Sequence, residues 1–431
     1  MKKILFILAI TAVTFVDSCR KHDLDTPDET GAKADVALDW YKLQLRILLE
    51  RNSSLNGAYF GYIGVGLYES VRYELKNSVS LSTKLYQMPQ MPAKENSNNY
   101  NWQVSANAAM AAMLRSYNTG LTTANNASID SLENAYNDKL KSETGAASFT
   151  RSQTFGRSIA TAIYNWSLTD NFNPSNAGYV PPVFPGAWVP APPAFASGIN
   201  PYLSTARPFL TAHLTSIAPA FPAPYSEIVN SDFYKIVKDI YDVSQTLTTE
   251  QKNIAMFWVD QGNGTGYTPP GHDFSFVTQA LEKSGVGLAV AAEAYAKVGI
   301  AERDATIVCF KSKYTYNLLR PVTYIRKLID PNWLPFIPTP PHPEYPAGHA
   351  FITGSVMQAL TRVLGDNVSV TDHTYDFRGW TPRTYPSIFK AAEEAGMSRR
   401  YGGIHYLPSI NMGLSLGKDL GDRVGEIKLH L

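Results

Sequence analysis

Cysteine is almost missing: the 431 residues hold two, Cys19 and Cys309. Two cysteines build no disulfide framework, so the fold must come from a buried apolar core. Excess charge of either sign is missing as well. Lys and Arg number 38 against 37 Asp and Glu, a net charge of +1. No block of like charge interrupts the chain, which removes the electrostatic footprint of a nucleic-acid binder. No stretch reaches the roughly 18 consecutive apolar residues of a membrane helix. No Val/Ile/Thr runs bounded by hairpin turns stand out, and no repeat period is visible, which argues against all-β and solenoid architectures. What is present is ordinary globular composition, 44% hydrophobic and 17% charged, enough for a sizeable core. With 28 Pro, 29 Gly and 25 Tyr, long ordered loops are expected between the elements.

The N-terminus reads as a targeting segment. Lys2 and Lys3 precede an apolar run from Ile4 to Val16, which meets Asp17, Ser18 and Cys19. A charged start, a short apolar run and a small residue before the cut describe a secretory signal. The run is shorter than the ~20 residues that span a bilayer. The Cys at the cut site resembles a bacterial lipobox, with Asp17 an unusual neighbour. The expected layout is a signal peptide over 1–18, a tether lipidated at Cys19 over 19–34, and a single all-helical domain over 35–431. The mature protein is then expected in the cell envelope, touching the membrane only through a lipid anchor.

Apolar residues at helical spacing predict helices over Val36–Glu50, Tyr59–Leu75, Val104–Tyr117, Ser128–Lys141 and Ser148–Leu168. Further helices are expected over Ser226–Val243, Thr249–Gln261, Phe274–Val298, Ala301–Leu319, Ala350–Leu364, Pro386–Met397 and Ser409–Val424. Gly299 stands where a C-cap would end one helix before the next. Residues 78–100 read as loop. Residues 179–208 hold too much proline for helix or central strand. Their large apolar side chains, Phe184, Trp188, Phe195 and Tyr202, predict an ordered belt laid across a helical core. Cys309 falls inside a helix and is expected in the core.

Three cationic segments carry the chemistry. Lys313 and Arg320, seven apart and followed by Pro321, lie about two helical turns apart on nearly one face. A point charge and a planar fork side by side suit an oxyanion. The second segment, His342-Pro-Glu-Tyr-Pro-Ala-Gly348-His349, ends one element and opens a helix. A helix N-terminus presents free N–H groups to an anion, and His349 there can exchange a proton. The third, Ser398-Arg399-Arg400-Tyr401-Gly402-Gly403-Ile404-His405, offers another guanidinium and a histidine before the last helix. Taken singly, each reads as readily as a basic helix face or a cap.

In order, the three segments resemble the signature of the type 2 phosphatidic acid phosphatase and vanadium haloperoxidase superfamily: Lys-x6-Arg-Pro, Pro-Ser-Gly-His, Ser-Arg-x5-His-x3-Asp. Lys313, Arg320 and Pro321 match the first block, Pro346, Gly348 and His349 the second, and Ser398, Arg399 and His405 the third. The belt, the stretch "FWVDQGNGTGYTPPGHDF" and residues 304–326 look like the larger bacterial members of that family. The resemblance implies an all-α fold, a large helical bundle with long Pro-rich loops whose signature part covers about 300–425. It implies vanadate as cofactor, held at its oxygens by Lys313, Arg320, Arg399 and the Gly348 N–H, with vanadium on His405. His349 is then the acid–base group, Lys313 polarises bound peroxide, and hydrogen peroxide and halide are the substrates. His342 occupies a place that is His in bromoperoxidases and Phe in fungal chloroperoxidases, so bromide or iodide is favoured. The alternative from the same resemblance is a phosphatase on small phosphate esters, with His405 forming a phosphohistidine.

Two positions depart from the pattern. Ala347 stands where the family has Ser, which costs the pocket a hydroxyl donor. Ser409 stands where the family has the Asp that orients the metal-binding histidine. Ser409, Asn411 or a carboxylate from elsewhere is left to fill that role, and an impaired oxyanion binder is the third reading. His272 and Asp260 fall in family-like loops and are expected to be mainly structural.

Overall fold

The structure, a computed structural model, describes residues 31–50, 58–96, 99–171, 174–261 and 266–430. The expected signal peptide and Cys19 lie outside the described residues. Thirteen α-helices are present among the described residues: α1 Asp35–Glu50, α2 Ala58–Val71, α3 Trp102–Tyr117, α4 Thr123–Glu143, α5 Ala146–Ser167, α6 Asp232–Gln245, α7 Thr249–Phe257, α8 Pro269–Ser284, α9 Leu288–Tyr316, α10 Pro321–Leu328, α11 Gly348–Leu364, α12 Ile388–Tyr401 and α13 Leu407–Gly425. Local chemistry sets many boundaries. Asn101 caps α3 by accepting from the Gln103 and Val104 N–H groups, and Thr248 and Gln251 form a capping box on α7. Proline occupies the first turn of α8, α10 and α13, where its missing N–H costs nothing. The mostly helical expectation holds, with one addition: a two-stranded antiparallel ribbon, β1 Val370–Asp372 on β2 Arg383–Tyr385. Three residues per strand are too few to show a period of two.

The largest difference from the sequence reading concerns Gly299. It does not end a helix; α9 runs unbroken through it for 29 residues. The break comes earlier, where Gly285 closes α8 in the left-handed conformation at φ 61°. Gly299 is there for contact. A Cβ on it would stand 2.8 Å from the Gly61 Cα and 2.9 Å from the Phe60 carbonyl, so α2 and α9 touch backbone to backbone.

Helix α9 is buried on nearly all sides. Around it lie α2, α8, α11 and α13. Glycines 413, 417 and 421 on α13 meet the α11 backbone in the same way as Gly299 meets α2. The Pro-rich belt is pinned by main-chain bonds. Trp188 N–H donates to the Asn317 carbonyl at 2.6 Å, Leu319 N–H to Gly186 at 3.0 Å and Ile199 N–H to Pro341 at 3.0 Å. Of its four large apolar residues only Trp188 is fully buried; Phe184, Phe195 and Tyr202 are exposed. Backbone pairing therefore anchors the belt more than side-chain burial does. Cys309 is buried, as expected.

Candidate functional site

The C-terminal end of α9 carries Lys313 in its last turn, and Asn317, left-handed at φ 45°, closes that helix. The chain then turns so that Arg320 caps α10. The loop 342–347 runs beneath these two cations into α11. Arg399 ends α12 and His405 precedes α13. All three sequence segments meet here: Arg320 Nη1 lies 3.2 Å from His405 Nε2, and Arg320 Nη2 lies 3.0 Å from His342 Nδ1.

Lys313, Arg320 and Arg399 are all buried. Lys313 donates to the carbonyls of Pro343, Glu344 and Pro346. Arg320 further donates to the His342 and Ile404 carbonyls at 2.8 and 3.0 Å. Arg399 donates to the Ser398 hydroxyl at 2.9 Å and to the Trp258 carbonyl, which leaves part of its fork unused. Burial disfavours every one of these charges. It pushes Lys313 down to about 8, with Arg320 adding to the effect, and both guanidinium groups down to about 10. The pocket is short of negative charge. It adds backbone donors, because no side chain caps the N-terminus of α11 at Gly348. A Cβ at 348 would meet only Lys313 Cε, at an ordinary 4.0 Å.

His405 has a defined tautomer. Its Nδ1 lies 2.7 Å from Glu344 Oε1, which also accepts from the Tyr406 N–H at 3.0 Å. The proton therefore sits on Nδ1 and the Nε2 lone pair faces Arg320. Burial, then Arg320 and Lys313, hold His405 well below the usual imidazole range, so the ring is neutral. Burial pushes Glu344 up to about 7, while Lys313, Arg320, the Tyr406 N–H and the Ser409 hydroxyl favour its carboxylate. Of the candidates left open for the missing Asp, Asn411 is exposed, and the carboxylate from elsewhere is Glu344, which holds His405. Its signal was in the sequence, an acid inside a cationic segment, but the pairing was not.

His349 lies in the first turn of α11, partly accessible, its Nε2 3.1 Å from Asp260 Oδ2. Burial and then Arg399 lower its pKa to about 4, against the pull of Asp260. Asp260 also accepts from His272 Nδ1 at 2.7 Å and from the Tyr375 hydroxyl at 2.8 Å. Asp260, expected from the sequence to be mainly structural, is thus hydrogen-bonded to His349. His342 is held at Nδ1 by Arg320, its ring 5.3 Å from Phe310. Burial and the same two cations keep it well below its usual range. Ala347 is buried and packs with Ala350 and Ile410. His213 pairs with Asp304 and His373 with Asp376, neither as part of this cluster.

A family model described as the VCPO second helical-bundle domain matches residues 293–430. The solved structure of the first bacterial vanadium-dependent iodoperoxidase is 30% identical, with a TM-score of 0.80 over 92% of this chain and 97% of that one. The chain belongs to the vanadium haloperoxidase family. Structures of a bacterial vanadium-dependent chloroperoxidase share the haloperoxidase fold at lower identity. The holo form is 16% identical with a TM-score of 0.62, covering 87% of this chain and 93% of its own. The apo form is 17% identical with the same TM-score, covering 85% and 91%. No match was found among curated proteins. In this family member the three buried cations, the α11 N-terminus and His405 Nε2, which faces Arg320, lie together.

Proposed function

We propose that the chain is a vanadate-dependent haloperoxidase that oxidises iodide or bromide with hydrogen peroxide. The observation that carries this reading is the neutral His405, its Nδ1–H donating to Glu344 and its Nε2 presented to a pocket of three buried cations. That donor set fits vanadate, a tetrahedral oxyanion that also takes one nitrogen ligand. Lys313, Arg320, Arg399 and the Gly348 N–H would hold its oxygens and His405 Nε2 the metal. When bound, vanadate supplies a Lewis-acidic centre at which hydrogen peroxide is activated for oxygen transfer to halide. The overall conversion, peroxide plus halide plus one proton to hypohalous acid and water, consumes a proton. His349 is neutral, accessible and oriented by Asp260, and is the group placed to handle it. The buried cations stabilise negative charge without reorganising during the reaction. His342 beside Arg320 and the 30% identity to an iodoperoxidase support iodide or bromide over chloride.

The same neutral His405 also suits attack on a phosphate ester, so a phosphatase is the second reading. We further propose export and lipidation at Cys19, supported by the N-terminal sequence. The test uses purified residues 20–431, stripped with chelator and titrated with orthovanadate in phosphate-free buffer. Iodide and bromide oxidation is followed with peroxide, and release of phosphate from an aryl phosphate in parallel. Saturable, vanadate-dependent halide oxidation lost in His405→Ala supports the first reading. Phosphate release inhibited by vanadate, without halide oxidation, overturns it.

A further inference from the structure

Behind His349 runs a buried chain of charged groups drawn from separate elements. His349 Nε2 meets Asp260 Oδ2 at 3.1 Å. Asp260 Oδ1 receives His272 Nδ1 at 2.7 Å. His272 Nε2 reaches Asp372 Oδ2, in β1, at 2.9 Å. His272 and Asp372 are fully buried. Carboxylates at both ring nitrogens require a proton on each, so His272 is an imidazolium between two anions. Its ring lies flat on Trp258, centroids 4.2 Å apart at 19°, and Trp258 gives its carbonyl to Arg399. Asp260 itself takes the left-handed conformation at φ 46°, sparsely populated for a residue with a Cβ. That turn is held by what Asp260 bonds to, His272 and the Tyr375 hydroxyl at Oδ1 and His349 at Oδ2.

We propose that His272 is a positioning residue for His349: clamped between Asp372 and Asp260, it fixes Asp260 as acceptor of the His349 Nε2 proton and leaves Nδ1 as the ring atom that exchanges protons. The arrangement also sets how basic His349 is. An Asp260 facing only His349 would stabilise a charged imidazole strongly. Sharing its charge with His272 weakens that support. The groups facing His349 are Asp260 from the turn after α7, His272 from α8, Arg399 from α12 and His342 from the loop before α11. Only Asp260 is an anion among them. Burial would lower His272, but Asp260 and Asp372 outweigh it and raise its pKa to about 10, so the clamp persists through neutral pH. The inference rests on the reading of His349 as the acid–base group.

The test compares the wild type with His272→Gln/Asp372→Asn. The pair removes one positive and one negative charge together, so the buried net charge is kept. The chain is studied without vanadate, and ring-nitrogen NMR follows each histidine from pH 4 to 10, with His349→Gln as the assignment control. In the wild type His272 is expected to stay doubly protonated up to pH 9. In the double variant the His349 titration is expected to rise by about one pH unit, the size of one close charge effect. Tyr375→Phe, which removes only the other donor to Asp260 Oδ1, is expected to shift it the same way by less. A His272 found neutral at pH 7, or a His349 titration that stays put in a folded double variant, overturns the proposal. A drop in melting temperature alone, without the shift, marks a structural role and overturns it too. No turnover is measured, so failure here leaves the haloperoxidase reading standing, and failure of that reading leaves the titration interpretable.

Discussion

At the residue scale, the carboxylate that meets His405 comes from a different part of the chain than the family pattern has it. Glu344 accepts the hydrogen bond of His405 Nδ1–H from a loop 61 positions upstream, where the family pattern places an Asp four residues downstream. A metal-binding histidine that loses such a partner typically loses 10- to 100-fold in metal affinity or activity. Glu344→Ala is therefore expected to weaken orthovanadate binding by roughly that factor, read by equilibrium dialysis. Adding Ser409→Asp should recover most of it, because Ser409 is buried beside the same carboxyl; unchanged binding in Glu344→Ala would remove Glu344 from its role. Ala347→Ser restores a hydroxyl donor at the α11 N-terminus. A hydrogen bond to a charged group contributes about 1.5–3 kcal/mol, so at least about tenfold tighter vanadate binding is expected. The protonation of His272 also predicts a pH effect on stability. Its folded pKa, raised to about 10, exceeds the ~6.5 of an unfolded histidine. The stabilisation it gives is complete below pH 6.5 and is lost as pH rises through 10. The melting-temperature advantage of wild type over His272→Gln/Asp372→Asn should therefore shrink between those two values.

At the element scale, α9 is the rod on which both halves of the molecule are hung. Its Gly299 admits α2 to backbone contact. Its Asp304 accepts the Phe209 and Leu210 N–H groups at 2.6 and 2.9 Å and ties down the loop after the belt. Its last turn presents Lys313. Gly299→Ala would improve helix propensity on an isolated helix but here forces a methyl group to within 2.8 Å of Gly61. Overpacking of that kind costs about 1–3 kcal/mol. Urea denaturation should show the variant less stable by that amount; an unchanged or raised midpoint would mean that α2 yields. The helices themselves were largely legible in the sequence, since apolar spacing and caps are local. The continuity of α9 was not, because a glycine in a helix and a glycine after one look alike until the partner helix is in place.

At the scale of the whole molecule, residues 32–33 and Lys313 lie at opposite ends of α9. The Leu288 N–H donates to the Ala32 carbonyl at 2.7 Å, and Lys33 bridges to Gly287. Lys313 is 25 residues further along, about 38 Å at 1.5 Å per residue. Among the described residues no helix is long and apolar enough to cross a membrane. Full-length protein carrying Cys19→Ser is expected to move from the membrane pellet to the soluble fraction with its turnover intact. A variant that stays in the pellet would refute the anchor.

The sequence alone determined the three cationic segments, their order, the helical character and the burial of Cys309, because spacing, caps and Pro/Gly punctuation act over a few residues. Only the tertiary structure decided which acids serve which histidines. The partners of His405 and His349 stand 61 and 89 positions away in the chain. Their pairing follows from how the turn after α7, the segment leading into α11 and the start of α13 meet, not from any local pattern. The same packing turned His272 from a loop residue into a buried imidazolium between two carboxylates, since a charge in the interior persists only where opposite charges meet it.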